Sequence, residues 1–182
     1  MPDELIPKLQ ATIRAKDPQG SVELETQDYV VRFSSLGAPQ ELRIRCVPPK
    51  SWTISYAARA PEARERWFLE SKGVWFPEHL DCRRVRFAPL DDRYKLFASD
   101  EGFFSSVFEA PELSDALMKI PAENHLKASL KDATLRVAWN VRFDPRFSDR
   151  DGFLLQCADI MVLLGGLLFK HVQLSTLMRG GT

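Results

Sequence analysis

Net charge is the first thing missing. Lysine and arginine number 25, and aspartate and glutamate number 25. The chain therefore lacks the basic excess of an obligate nucleic-acid binder, and nucleic acid is not an expected partner. Cysteine is scarce. Cys46, Cys82 and Cys157 are odd in number and far apart, which does not read as a secreted disulfide framework and points to a reducing compartment, the cytoplasm. The N-terminus, Met1-Pro2-Asp3-Glu4, is acidic and lacks an apolar run, so no signal peptide is expected. A long apolar run is missing as well. The stretch from Phe153 to Phe169 contains Gln156 and Asp159, and its unbroken part spans only residues 160–169. A spanning helix needs ~20 apolar residues, so this segment reads as a buried core helix and a membrane is not an expected partner.

Catalytic signatures are absent too. The chain has no G-x-S-x-G, no H-E-x-x-H and no P-loop, which removes the common nucleophile, metalloprotease and nucleotide motifs. Histidine is rare and isolated: His79, His125 and His171 stand far apart. His79 and Cys82 form an H-x-x-C pair beside Glu78 and Asp81. A structural zinc site wants about four ligands in short-spaced pairs, and no second pair follows, so neither a metal nor another cofactor is expected. Cys82 is flanked by Arg83 and Arg84, which would lower a thiol pKa. With no repeats, no low-complexity tract and no long linker, residues 1–182 read as a single domain.

What is present is ordinary globular material, 45% apolar and 27% charged, enough to build a core without staples. Residues 3–16 place Leu5, Ile6, Leu9 and Ile13 on one helical face. Period-two alternation then marks strands over residues 22–26, 29–33, 42–46 and 52–58, separated by short turns suited to antiparallel hairpins. Residues 61–72, opened by Pro61 and closed by Gly73, predict a helix, with a loop carrying Trp67, Phe68, Trp75 and Phe76 as the alternative. Strands follow at 83–88 and 93–99. Ser99 or Asp100 caps a helix whose stripe is Phe103, Phe104, Val107 and Phe108, and Pro111 opens another. The last hairpin carries the clearest alternation, with Leu135, Val137, Trp139, Val141 and Phe143 on one face. The final helix starts near Asp149 or Asp151 and runs to about Val172. It is apolar on most sides, which requires cover from other elements, and Gly165-Gly166 permits close backbone packing.

The expected fold is α+β: a largely antiparallel, curved sheet of about eight strands with helices packed on one face and a long, buried C-terminal helix. Each strand has one apolar face, and only the helices are available to cover it.

Two groups of residues are candidates for binding. Arg43, Arg45, Arg84, Arg86, Arg136 and Arg142 all fall opposite the apolar residues of their strands. Gathered in one sheet they make an anion-binding face; the plainer alternative is a solvated face paired with Glu23, Glu25 and Glu41. Trp67, Phe68, Trp75 and Phe76 form the second group. They either anchor a partner or close one end of the core. The candidate binding residues are thus Arg43, Arg45, Arg84, Arg86, Arg136, Trp67 and Trp75. Asp159, a carboxylate inside an apolar helix, must be exposed, paired or functional.

From Asp91 to about residue 175 the chain resembles a group of bacterial domains of unknown function. The resemblance rests on Asp92-x-Tyr94-x-Leu96-x-Ala98-Ser99-Asp100, the aromatic helix from Phe103, and Glu112-Leu113-x-x-Ala116-Leu117, followed by a two-strand unit and an apolar terminal helix. Similar sequences often carry N-terminal membrane segments, and none is expected from residues 1–182. The resemblance implies no activity and no site residues. Taken together, the residues favour a non-catalytic domain that binds a protein partner or forms a homo-oligomer. The alternatives are an enzyme with a site assembled from distant residues such as Asp159 or His125, and a binder of small apolar ligands between sheet and helices.

Overall fold

The computed structural model describes residues 28–47, 51–73, 81–121, 125–142 and 150–180. The helix expected over 3–16 and the strand expected over 22–26 lie outside the described residues. In chain order the elements are β1 (Asp28–Ser35), β2 (Ala38–Val47), β3 (Ser51–Arg59), β4 (Trp67–Ser71), β5 (Arg83–Val85), α1 (Ala88–Asp91), β6 (Tyr94–Ala98), α2 (Glu101–Phe108), α3 (Pro111–Met118), β7 (His125–Lys131), β8 (Thr134–Arg142) and α4 (Arg150–Gly180).

All eight strands join one open antiparallel sheet in the order β1-β2-β3-β8-β7-β4-β6-β5. The fold is α+β, as the alternation predicts. Two of its hairpins turn on pairs of residues at positive φ, Leu36-Gly37 and Asp132-Ala133, the backbone twist that matches paired strands. Of the strand expected over 83–88 only Arg83–Val85 forms, with α1 following it, and a second stretch also differs from expectation. Residues 67–71 form a strand rather than part of a helix, pairing with β6 on one side and β7 on the other. Both of its faces carry apolar residues, so no period-two signal marks it; the two flanking strands dictate its backbone.

Alternation sends one set of side chains inward. Leu42, Tyr56, Val137, Ala128, Leu69, Leu96 and Val85 stand side by side across seven strands in a single row, and every one is buried. The helices lie on this face. α4 packs over β3 and β8, and α2 and α3 pack beside it. The fit is tight at one point. A Cβ on Gly165 would meet the Tyr56 ring at 2.3 Å, while the Tyr56 hydroxyl donates to Gln40 Oε1 at 2.7 Å. There the interface has no room for a methyl group, let alone a ligand. Asp100 caps α2 by accepting from Phe103 N–H at 2.8 Å. Ser99 is used otherwise, its hydroxyl accepting from Arg66 N–H. Arg93 satisfies free carbonyls beyond α3, donating to Met118 O and Ile120 O.

α4 runs past its expected end near Val172, to Gly180. At 1.5 Å per residue its 31 residues make a rod of about 46 Å. Its part from Gly152 to Gly180 is long and apolar enough, by length and composition, to cross a membrane, and half of its most apolar window is buried inside the molecule.

Candidate functional site

The face of the sheet opposite the helices is polar, and its charges follow from strand register. Successive residues on a strand point to opposite sides, so burying Leu42 and Ile44 turns Arg43 and Arg45 outward; both are exposed. The same parity turns Arg136 out from between buried Leu135 and Val137. It also exposes Arg84 beside buried Val85. Arg86, just past β5, is exposed as well. Four of the predicted arginines therefore do share one sheet face, with Arg86 at its margin.

Register arranges them in rows. One row reads Arg32, Glu41, Ala57, Arg136, Ser129, Phe68, Phe97 and Arg84 from β1 to β5. The next reads Arg43, Ser55, Ala138, Lys127, Glu70 and Lys95. A third places Arg45 beside Thr53, Asn140 and His125. Arg59 and Lys131 add cations toward the far margin. Every strand except β4 thus contributes a basic residue to this face, at strand spacings of about 4.8 Å. Three acids hold positions on this face in the described residues, the first being Asp28 of β1, opposite Arg45 in register. Glu41 accepts from Arg32 at 3.1 Å and lies 3.8 Å from Arg43. Glu70, between Lys127 and Lys95 in register, is buried. Arg84 and Arg136 have no acidic partner among the described residues. Glu23 and Glu25 lie outside them.

The aromatic group divides. Trp67 is fully buried and is not a surface anchor. Its strand position points it at the helices, where its ring meets Phe108 edge-on, centroids 5.2 Å apart, and Phe104 at 6.3 Å. It closes the core, correcting the expectation that it binds a partner. Phe68, one residue on, faces the basic side and is half-buried. Trp75 and Phe76 lie outside the described residues.

The residues considered for catalysis do not converge. His125 sits on the basic sheet face, whereas Asp159 is exposed on the outer side of α4, beyond the opposite face. His125 Nδ1 is buried without a hydrogen-bond partner, so nothing orients it as a base relay requires. Partial burial pushes the Asp159 carboxyl up. Cys82 is half-buried, with its thiol 3.8 Å from Arg66 O. Burial raises its pKa, Arg66 opposes this and Asp81 adds to it; Arg83 and Arg84 do not activate it. Cys157 is buried and pushed up to about 12, which makes it inert. The described residues contain no group of three or more potential metal ligands; His79 lies outside them.

No family model matches the sequence, and no curated protein matches it. Among solved structures the chain is similar to the mycobacterial trehalose monomycolate transport factor A, TtfA. The identity is 14%, the TM-score is 0.46, and the match covers 76% of this chain and 70% of that one.

Proposed function

We propose that this protein is a non-catalytic interaction module whose sheet face, bare of helices among the described residues, docks an acidic protein partner. The observation that carries this is the one-sidedness of charge. The chain is neutral overall, yet the helix-free face draws cations from seven strands. Such a face concentrates a positive potential and steers an acidic partner toward it. Glu41 and Glu70, set among the cations, favour a polypeptide of mixed side chains over a continuous phosphate backbone, which they would repel. Cations spread over seven strands suit a broad contact better than a small substrate, which prefers a compact pocket.

The test is a titration of the full-length protein with poly-glutamate at several salt concentrations. Binding that weakens as salt rises is expected, as screening demands. The triple variant Arg43→Glu, Arg45→Glu and Arg136→Glu should abolish it while the melting temperature stays close to wild type, because all three side chains are exposed. Parallel titrations use single-stranded DNA and vesicles of anionic lipid. Absence of poly-glutamate binding, or tighter binding to either alternative, overturns the proposal.

A further inference from the structure

The outer side of α4 carries exposed leucines and is covered by no element of the described residues. Leu163 is 58% exposed, Leu174 46% and Leu177 70%. Single exposed leucines are common, but a stripe of them along one helix marks an interaction site. The stripe faces away from the sheet, and away from α2 and α3 as well. Those helices cover a different side of α4, where His171 Nε2 lies 3.1 Å from Glu112 Oε1 on α3.

What should cover the stripe is written in how its residues are paired. Gln156 and Gln173, Asp159 and Lys170, Leu163 and Gly166 form three pairs. All three are centred on one point of the helix, midway between Leu164 and Gly165. At 3.6 residues per turn the pairs also share one mean direction around the axis. A surface with this symmetry complements itself when a second copy is turned half a revolution about that point. Residue i then meets residue j and j meets i, the defining property of an isologous interface. The two charges on the stripe are opposite in sign, so each Asp159 would face the partner's Lys170. At the centre stands Gly166, where an added Cβ would meet nothing within 4 Å. A glycine there lets two helix backbones approach closely.

We propose that the protein forms a two-fold symmetric dimer through antiparallel packing of α4 against α4 of a second copy. Asp159 and Lys170 pair reciprocally across the axis, and Leu163 seats against Gly166. The Glu112 carboxyl is held down chiefly by its own backbone N–H and by His171, with Lys170 a smaller influence.

The test needs no partner: analytical ultracentrifugation of the full-length protein over a concentration series, with a dimer expected. Lys170→Asp sets two aspartates against each other and should weaken dimerisation by about tenfold or more. The double variant Asp159→Lys with Lys170→Asp exchanges the charges and should restore it. Gly166→Leu adds bulk at the crossing point outside the monomer core; it should give a monomer with an unchanged circular dichroism spectrum. A wild-type protein that stays monomeric throughout overturns the proposal. So does a charge exchange that fails to recover the dimer, or a stripe that is covered only when lipid vesicles are added.

Discussion

At the scale of single residues, two adjacent glycines carry opposite consequences. Gly165 faces the Tyr56 ring and Gly166 faces open space. Tyr56 cannot retreat easily, because its hydroxyl is held by Gln40 and its ring is buried. Gly165→Ala should therefore destabilise the fold by about 2–3 kcal/mol, the usual cost of overpacking a filled core. Gly166→Ala should stabilise it by about 0.5–1 kcal/mol, since alanine restricts the unfolded chain and fits a helix interior. Urea denaturation at low protein concentration measures both, and equal effects would show that the helix does not sit on Tyr56. Asp100 offers a second case. Arg179 donates to its carboxylate at 2.6 and 3.1 Å, and this, together with the Phe103 N–H, holds its pKa below the ordinary value. A carboxyl whose pKa is lower in the folded state stabilises the fold above its unfolded value and loses that effect as pH falls through the folded one. Asp100→Ala should cost about 1 kcal/mol at neutral pH, mostly as a lost cap. The deficit should shrink in acid, below the ordinary carboxylate range. A deficit independent of pH would remove the charge from the account.

At the scale of elements, legibility depended on whether a segment has one apolar side or two. β2 and β8 alternate cleanly, so the pattern alone puts Arg43, Arg45 and Arg136 on the exposed face. β4 does not alternate: Trp67 and Leu69 point inward, yet Phe68 points outward. Nothing local distinguishes such a segment from a loop or a helix, and only its neighbours β6 and β7 make it a strand. The same ambiguity misplaced Trp67, whose inward aim depends on a register that the sequence does not state. α4 shows the problem in helical form. It is apolar nearly all round, so its period does not reveal which side is buried. Packing decides, by setting Gly165 against Tyr56 and leaving Leu163 outside. Its length was underread for a related reason: Leu174, Leu177 and Met178 extend the helix beyond the sheet's cover and remain exposed.

At the scale of the whole molecule, charge is sorted by layer. The open sheet face is mostly basic, while the helix side carries Glu101, Glu109, Glu112, Asp115 and Asp159 at exposed positions against Lys119, Lys170 and Arg179. The proposed α4 seam and the proposed basic docking face lie on opposite sides of the sheet. A dimer built on α4 would put its two sheets outermost, with their basic faces pointing apart. Each face would then remain open, and neither could share a short ligand with the other. A long polyanion would instead bridge separate dimers. Mixing the protein with long poly-glutamate should therefore raise light scattering steeply near charge equivalence, as multivalent linkage requires. Short poly-glutamate should bind with no such rise. The Lys170→Asp variant should bind both lengths as the wild type does, site for site, yet fail to scatter. Its substitution lies on α4, remote from the basic face, so loss of scattering with retained binding separates assembly from recognition. Scattering by Lys170→Asp at wild-type strength would mean that one copy alone presents more than one docking face, contrary to the layered sorting of charge.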